Sequence, residues 1–378
     1  MFDAKVLDMQ SFSDIHLMAM PLTLFAFMGE TRSVANVGLI LFRVFNYCVG
    51  VFVLFFVVVN FYFTEGVYYV KTIQSLFFLS QFMLKYFLLI KHKSTIQLIL
   101  ANIGTRFWDY RGFHEQLIAS NEEIFKTVKF VQTLILSTAL VVYYSYLLRP
   151  YFDGKMAVES YIPRSDAWDV AVLISQYYIC LLALLTVMGY DCVYVGTSVH
   201  LVLQLRLLKR RIQDSLDQRY EGNRKFEICD AIQHHQFLYS VFLQMKEIYS
   251  AMLLYHYMVT LISTCSVLLE LILTRKDFLN YIIQVLSMTF FIVQFAMYAF
   301  PAEQITFEFS DIANAIYSSK WYGNGVDVQS MMLYVMMKAQ RQQYFTGAGL
   351  IDINVEAFES VLRKSFSFFA VFRNLLRQ

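Results

Sequence analysis

The side chains able to do acid, base, metal or nucleophilic chemistry are few in this sequence, and they are scattered. The seven histidines include one adjacent pair, His234–His235. A membrane di-iron centre needs several such clusters at ligand spacing, so a single pair reads as part of a solvated loop-helix. Cys48, Cys180, Cys192, Cys229 and Cys265 lie in apolar runs or in a polar loop, with no Cys-x-x-Cys pair, so neither a disulfide framework nor a zinc site is expected. No Ser-His-Asp order, Gly-rich phosphate loop or His-Glu-x-x-His run occurs, and the sequence therefore predicts no catalytic residue, no metal and no cofactor. What remains is a set of ionisable side chains inside apolar runs: Lys85, Asp191 and Glu270. In lipid such groups are costly and must face a bundle interior, a cavity or a partner. Asp191 lies deep in its run and reads as a hydrogen-bonded structural acid or a group at the cytosolic boundary. Lys85 and Glu270 lie near run ends, from which they would snorkel to the interface.

Aromatic residues form the second candidate set, with 36 Phe and 26 Tyr. Tyr68, Tyr69, Tyr143, Tyr144, Tyr146, Tyr177, Tyr178 and Tyr281 recur near the ends of apolar runs. Two readings stand: an aromatic belt at the membrane interface, or an apolar pocket furnished with a few hydroxyls. The orientation of these residues relative to the bundle decides between them.

The elements that must position these residues follow from composition. The 378 residues are 58% hydrophobic and 16% charged, against about 25% charged in soluble proteins. One water-soluble core cannot bury so much apolar surface, so the solvent is lipid. A net charge of +2 provides no basic field for nucleic acid. Runs of about 20 apolar residues, the length of a bilayer span, fall at 37–63, 66–90, 127–148, 170–205, 248–273, 278–307 and 350–372. They predict an all-α membrane protein with seven transmembrane helices. The fourth and sixth exceed a core of about 30 Å, so their ends should project into water as helix. Of Pro21, Pro150, Pro163 and Pro301, only Pro301 falls within a run, near its end.

The even-numbered loops carry seventeen Lys and Arg, the odd-numbered ones five. By the positive-inside rule this places the N-terminus and the even loops in the cytosol and the C-terminus outside. The first 31 residues carry Asp3, Asp8 and Asp14 and lack a basic start before a short apolar core, predicting no removable signal peptide. No Asn-x-Ser/Thr acceptor occurs.

This orientation is opposite to that of G-protein-coupled receptors, and the Asp-Arg-Tyr and Asn-Pro-x-x-Tyr motifs of that class are absent. The specific signal lies near the C-terminus. Phe309-Ser310-Asp311-Ile312-Ala313-Asn314-Ala315-Ile316-Tyr317-Ser318-Ser319-Lys320-Trp321-Tyr322 is followed by Lys338-Ala339-Gln340-Arg341, Thr346-Gly347-Ala348-Gly349 and Phe358-Glu359-Ser360-Val361-Leu362-Arg363-Lys364-Ser365-Phe366-Ser367-Phe368-Phe369. This closely resembles the closing signature of the insect odorant receptor family. Arg149-Pro150, Asp191 through His200, Gln204 and Leu205 look like looser marks of the same family. One departure is Tyr298-Ala299-Phe300-Pro301-Ala302-Glu303, where many members have Tyr-Cys-x-x-Gly-Glu. Gustatory receptors usually close with Thr-Tyr-x-x-x-x-x-Gln-Phe, which is absent, and the inverted-repeat hydropathy of a transporter is not seen. A gustatory receptor-type channel and, from another class, a G-protein-coupled chemoreceptor are the rival readings.

The resemblance implies an odorant-gated, non-selective cation channel of four subunits in the plasma membrane of a sensory neuron dendrite. There a tuning subunit joins an obligate co-receptor, binds a small volatile and needs no G protein. The 206–248 loop lacks the long insertion typical of the co-receptor, so the chain looks like a tuning subunit. The expected organisation is a cytosolic or interfacial segment at 1–36, transmembrane helices one to four at 37–205, a cytosolic loop with helix extensions at 206–247, helices five and six at 248–307, a cytosolic anchor segment at 308–346, and a pore-lining seventh helix at 347–378.

The resemblance further implies an odorant pocket in the outer half of the bundle between spans two, three, four and six. By depth its candidates are Tyr69, Ile73 and Phe77; Tyr143, Tyr144 and Leu147; Ile174, Tyr177 and Tyr178; and Tyr281, Gln284 and Met288. Gly347 and Gly349 should break the chain between an anchoring helix near 326–346 and a terminal helix near 355–376. In the latter, Ser360, Lys364, Ser367, Val371 and Asn374 recur at steps of four and three, which puts them on one helical face. That stripe either packs on a neighbouring helix or lines the ion path. Aligning the closing signature puts Val371 at the apolar gate and Asn374 just outside it. Arg363 and Lys364 then lie toward the cytosolic end, so four subunits would bring eight basic side chains around a cation route.

Overall fold

The computed structural model describes residues 34–63, 68–109, 115–153, 156–161, 166–217, 223–273 and 278–375. The expectations for the first 33 residues lie outside the described residues. The helices are α1 (Val34–Phe63), α2 (Tyr68–Lys91), α3 (Lys93–Thr105), α4 (Glu115–Asp153), α5 (Asp166–Leu216), α6 (Arg224–Leu273), α7 (Phe278–Tyr317), α8 (Val326–Ala339) and α9 (Val355–Leu375), with a two-residue hairpin, β1 (Thr346–Gly347) and β2 (Ile351–Asp352), before α9. Six of them, α1, α2, α4, α5, α6 and α7, are long and apolar enough to cross a membrane. Helix α1 shows why lipid is the outer solvent. Val53, Phe56 and Val57 are buried, while Ile40, Leu41, Val44, Phe55 and Val58 on its other faces are exposed, and a helix apolar all round can rest only in hydrocarbon. Helix α9 is not among the six. Glu356, Glu359, Arg363, Lys364 and Arg373 interrupt its hydropathy, so its reading as a span rests on length and family likeness.

Helix α5 is the central post: every residue from Thr186 to Leu205 is buried, with α2, α3, α4, α6 and α7 packed around it. At 51, 50 and 40 residues, α5, α6 and α7 run about 75, 75 and 60 Å, well beyond a 30 Å core. Within 206–247 the described residues are helical except Asp217 and Asn223; α6 reaches as far into this region as α5, which hydropathy did not signal because the turns there are amphipathic. Their charges pair across helices. Arg206 and Lys209 reach Glu308 at 2.7 and 2.6 Å, Lys209 reaches Asp311 at 2.6 Å, and Arg211 reaches Glu227 and Asp230 at 2.8 and 3.1 Å. Against this bundle α8 lays Val328, Met332, Val335, Met336 and Ala339. The short α3 was not expected from hydropathy; it buries Ile96, Ile99 and Ile103 at helical spacing.

The hairpin clips the chain to α6. Leu350 N–H bonds the Gly347 carbonyl at 2.9 Å, and Ala348 and Gly349 at the corners have φ of 50° and 72°, which makes a type I′ turn. Ser250 donates to the Thr346 carbonyl at 2.9 Å and its own carbonyl accepts Ala348 N–H at 3.1 Å. Gly347 lies so close to α6 that an added Cβ would meet the Leu254 backbone nitrogen at 3.0 Å.

Candidate functional site

Four helices leave a narrow apolar cavity of about 20 Å³ between them. Phe78 on α2 and Phe290 on α7 face it from two sides. Ala139, Val142, Tyr143 and Tyr146 supply the α4 wall, and Cys180, Ala183, Leu184, Val187 and Met188 the α5 wall. The last two sets have the i, i+3, i+4, i+7 spacing of one helical face. Among the described residues no charged one lines it, and the polar groups in the wall are two tyrosine hydroxyls and a thiol.

Of the pocket candidates named from the sequence, Tyr143 lines this cavity, and so does Tyr146 from the wider set of tyrosines. Phe77 is half-buried, and its carbonyl accepts the Tyr255 hydroxyl at 2.7 Å. Tyr177 donates to the Leu147 carbonyl at 3.2 Å, and Tyr178 donates to Asn46 Oδ1 at 2.5 Å. Tyr144 and Ile174 are exposed, as residues facing lipid are, while Ile73 and Met288 are half-buried and Gln284 is buried. The side chains of Tyr69 and Tyr281 lie outside the described residues. The cavity sits a turn or two further along α5 and α7 than the tyrosines that mark the helix ends. Residues such as Ala183, Leu184 and Phe290 carry no mark in the sequence, being apolar residues in apolar runs.

Three readings of polar residues change. Lys85 does not snorkel: it is fully buried and ion-paired with Asp191, because the α5 face opposite it offers a carboxylate closer than the interface. Glu270 is likewise buried. His234 is not solvated; it stacks on Trp108 with centroids 3.8 Å apart and hydrogen-bonds Gln204 at 3.0 Å. Gln204 also clamps the Trp108 backbone through both amide atoms, at 2.9 and 2.8 Å. Among the described residues no group of three His, Cys, Asp or Glu could hold a metal.

Helix α9 starts from a defined N-terminus. Asn354 Oδ1 accepts Ala357 N–H at 2.7 Å, as an N-cap does, and Glu303 Oε2, reaching from α7, accepts Val355 N–H at 2.8 Å. The α9 face turned to its own bundle buries Ala357, Val361 and Ser365, and Ser365 donates to the Leu261 carbonyl at 3.2 Å. The opposite side carries Ser360, half-buried, and Lys364, Ser367 and Val371, exposed. Lys364 reaches back to the Tyr257 hydroxyl at 3.0 Å, and Arg363 pairs with Glu359 on its own helix. The Asn374 side chain lies outside the described residues.

The chain matches the 7tm odorant receptor family over residues 66–366, most of its length. It belongs to that family. Among curated relatives, the receptor is 23% identical to Odorant receptor 10 of Aedes albopictus over 64% of its own length and 65% of that protein, and 22% identical to Odorant receptor 30a of Drosophila melanogaster over 57% and 58%. The aligned part thus spans a little under two thirds of these relatives. Its fold resembles the insect olfactory receptor OR5 from Machilis hrabei in complex with eugenol, with a TM-score of 0.83 at 14% identity, covering 96% of this chain and 97% of that one. A second structure of OR5 gives 0.78 at 15% identity. The receptor is a multi-pass protein of the plasma membrane with the fold of an odorant receptor, and neither family nor fold is that of an enzyme.

Proposed function

We propose that the receptor is the odorant-binding subunit of a ligand-gated, non-selective cation channel of four subunits, partnered by a co-receptor, with its N-terminus cytosolic and its C-terminus outside. The observation that carries this reading is the cavity between α2, α4, α5 and α7, lined by aromatic and aliphatic side chains with no charged group among the described residues. Such a wall recognises an uncharged, mainly hydrocarbon volatile by burial at about 25 cal/mol per Å², with the Tyr143 or Tyr146 hydroxyl orienting one polar atom. The OR5 structure described in complex with eugenol supports a small-molecule role for this fold. The open face of α9, with Ser360, Lys364, Ser367 and Val371 turned from its own bundle, suits a helix that meets other subunits around an ion path.

The test is whole-cell current evoked by a panel of volatiles, with and without the co-receptor, under G-protein blockade. Current that needs the co-receptor and survives the blockade is expected. Loss under blockade would favour the G-protein-coupled reading. In the same cells Ala183→Leu, which adds three carbons to the cavity wall, should raise the half-maximal concentration of the largest agonists by about tenfold or more, each buried methylene being worth about 0.8 kcal/mol. Unchanged dose responses for every agonist would place the binding site elsewhere.

A further inference from the structure

The three helices that wall the cavity with Phe78, Met188 and Phe290 each present a polar group about one turn further along: Gln81 on α2, Asp191 on α5 and Gln294 on α7. Lys85 and Tyr298 follow one turn later. These groups close into a single network. Asp191 Oδ1 receives the Lys85 ammonium and the Tyr298 hydroxyl, the latter at 2.5 Å, and its Oδ2 receives Gln294 Nε2 at 2.6 Å. The Gln294 oxygen in turn accepts Gln81 Nε2 at 2.6 Å. The ammonium lies 5.8 and 5.7 Å from the centroids of the Tyr190 and Tyr298 rings. All six side chains are buried, and both Asp191 oxygens are used.

An ion pair at this depth adds little net stability, because desolvation offsets its attraction. Its effect is directional: a fully satisfied buried network holds its helices in one arrangement. From Tyr298 the contacts continue toward α9. The Tyr298 ring packs on Tyr194 and His256 at 4.5 and 4.6 Å, and its carbonyl accepts the Tyr194 hydroxyl at 3.0 Å. Tyr194 meets Phe345, the residue before the hairpin, at 6.0 Å. Five residues beyond Tyr298, Glu303 holds the first N–H of α9.

We propose that Lys85 and Asp191, with Gln294 and Tyr298, form the coupling node of the receptor: a charge-neutral joint through which a shift of α7 against α2 and α5 at the cavity becomes a shift of the N-terminus of α9. These are positioning residues, and the inference rests on the cavity taking the ligand and α9 lining the ion path. The test uses the full receptor with its co-receptor and reads maximal evoked current per receptor at the cell surface separately from half-maximal concentration. Lys85→Met together with Asp191→Asn removes both charges, while the Asn oxygen still accepts Gln294 Nε2 and the Asn amide donates to the Tyr298 hydroxyl, which then serves as acceptor. The maximum should fall by about tenfold, an ordinary allosteric coupling, with a smaller change in half-maximal concentration. Glu303→Ala should give the same signature, and the combined variant should lose less than the product of the two effects, as groups on one route do. Should the charge-free pair fail to reach the surface, Tyr298→Phe removes only one hydroxyl, and its maximum should drop by about threefold. A maximum within about twofold of wild type in whichever of these variants reaches the surface would overturn the coupling role alone. A wild-type receptor silent across the panel would overturn the channel reading and this inference with it.

Discussion

Two glycines two residues apart separate steric from conformational demand. At Gly347 the backbone is unstrained, but a Cβ would meet the Leu254 nitrogen, Cα and Cβ at 3.0, 3.1 and 3.3 Å, and helix backbone cannot yield as a side chain tip can. Gly349 has open space around it and a φ of 72°, so a Cβ there costs about 1 kcal/mol through conformation alone. Gly347→Ala is therefore expected to detach the hairpin from α6 and to lower thermal stability in detergent more than Gly349→Ala does; equal melting temperatures would contradict the docking. Both glycines were legible as a chain break, but the need for Gly at 347 comes from Leu254, far away in sequence. The same limit hid the partner of Asp191. The acid stands out in an apolar run, while Lys85, 106 positions earlier, looks like one more residue near a helix end.

At the level of elements, what reads easily is what lipid imposes. Runs such as that of α1 declare themselves by length, because every face is apolar. Helix α9 does not. Its two sides differ, with Ala357, Val361 and Ser365 turned inward and Ser367 and Val371 outward, and only the step pattern reveals it. That pattern could not distinguish packing from pore lining, and the exposure of Val371, at 54%, favours a surface offered to other subunits. Cysteine at Val371 or Asn374 in the heteromer is expected to make evoked current sensitive to a thiol reagent applied from outside. Surface-labelled channels insensitive at both positions would move the pore away from α9. The cavity lies between α2, α4, α5 and α7, and its lining is hard to read from sequence, since tyrosines mark helix ends and the Ala, Leu and Met residues that shape the space look like any lipid-facing residue.

For the whole assembly the decisive quantity is the charge that four α9 helices would bring together. Arg363 is answered on its own helix by Glu359, so the eight cations counted from sequence reduce to four uncompensated ones, the Lys364 ammonium groups. Each of these is drawn toward Tyr257, at 3.0 Å from its hydroxyl and 5.8 Å from its ring centroid. Around a four-fold axis, like charges within a Debye length of about 8 Å raise the barrier to a passing cation. One such lysine among co-receptor subunits has room to turn to water. The chain expressed alone is thus expected to give little or no cation current even where it reaches the surface, and the same chain with the co-receptor a robust one. Lys364→Gln should leave the heteromer within about twofold of wild type while increasing any homomeric current. If instead the chain alone conducts as well as the heteromer at equal surface density, repulsion at Lys364 does not limit the path. Should Lys364→Gln silence the heteromer, the tie to Tyr257 between α9 and α6, rather than the charge itself, would be what gating requires.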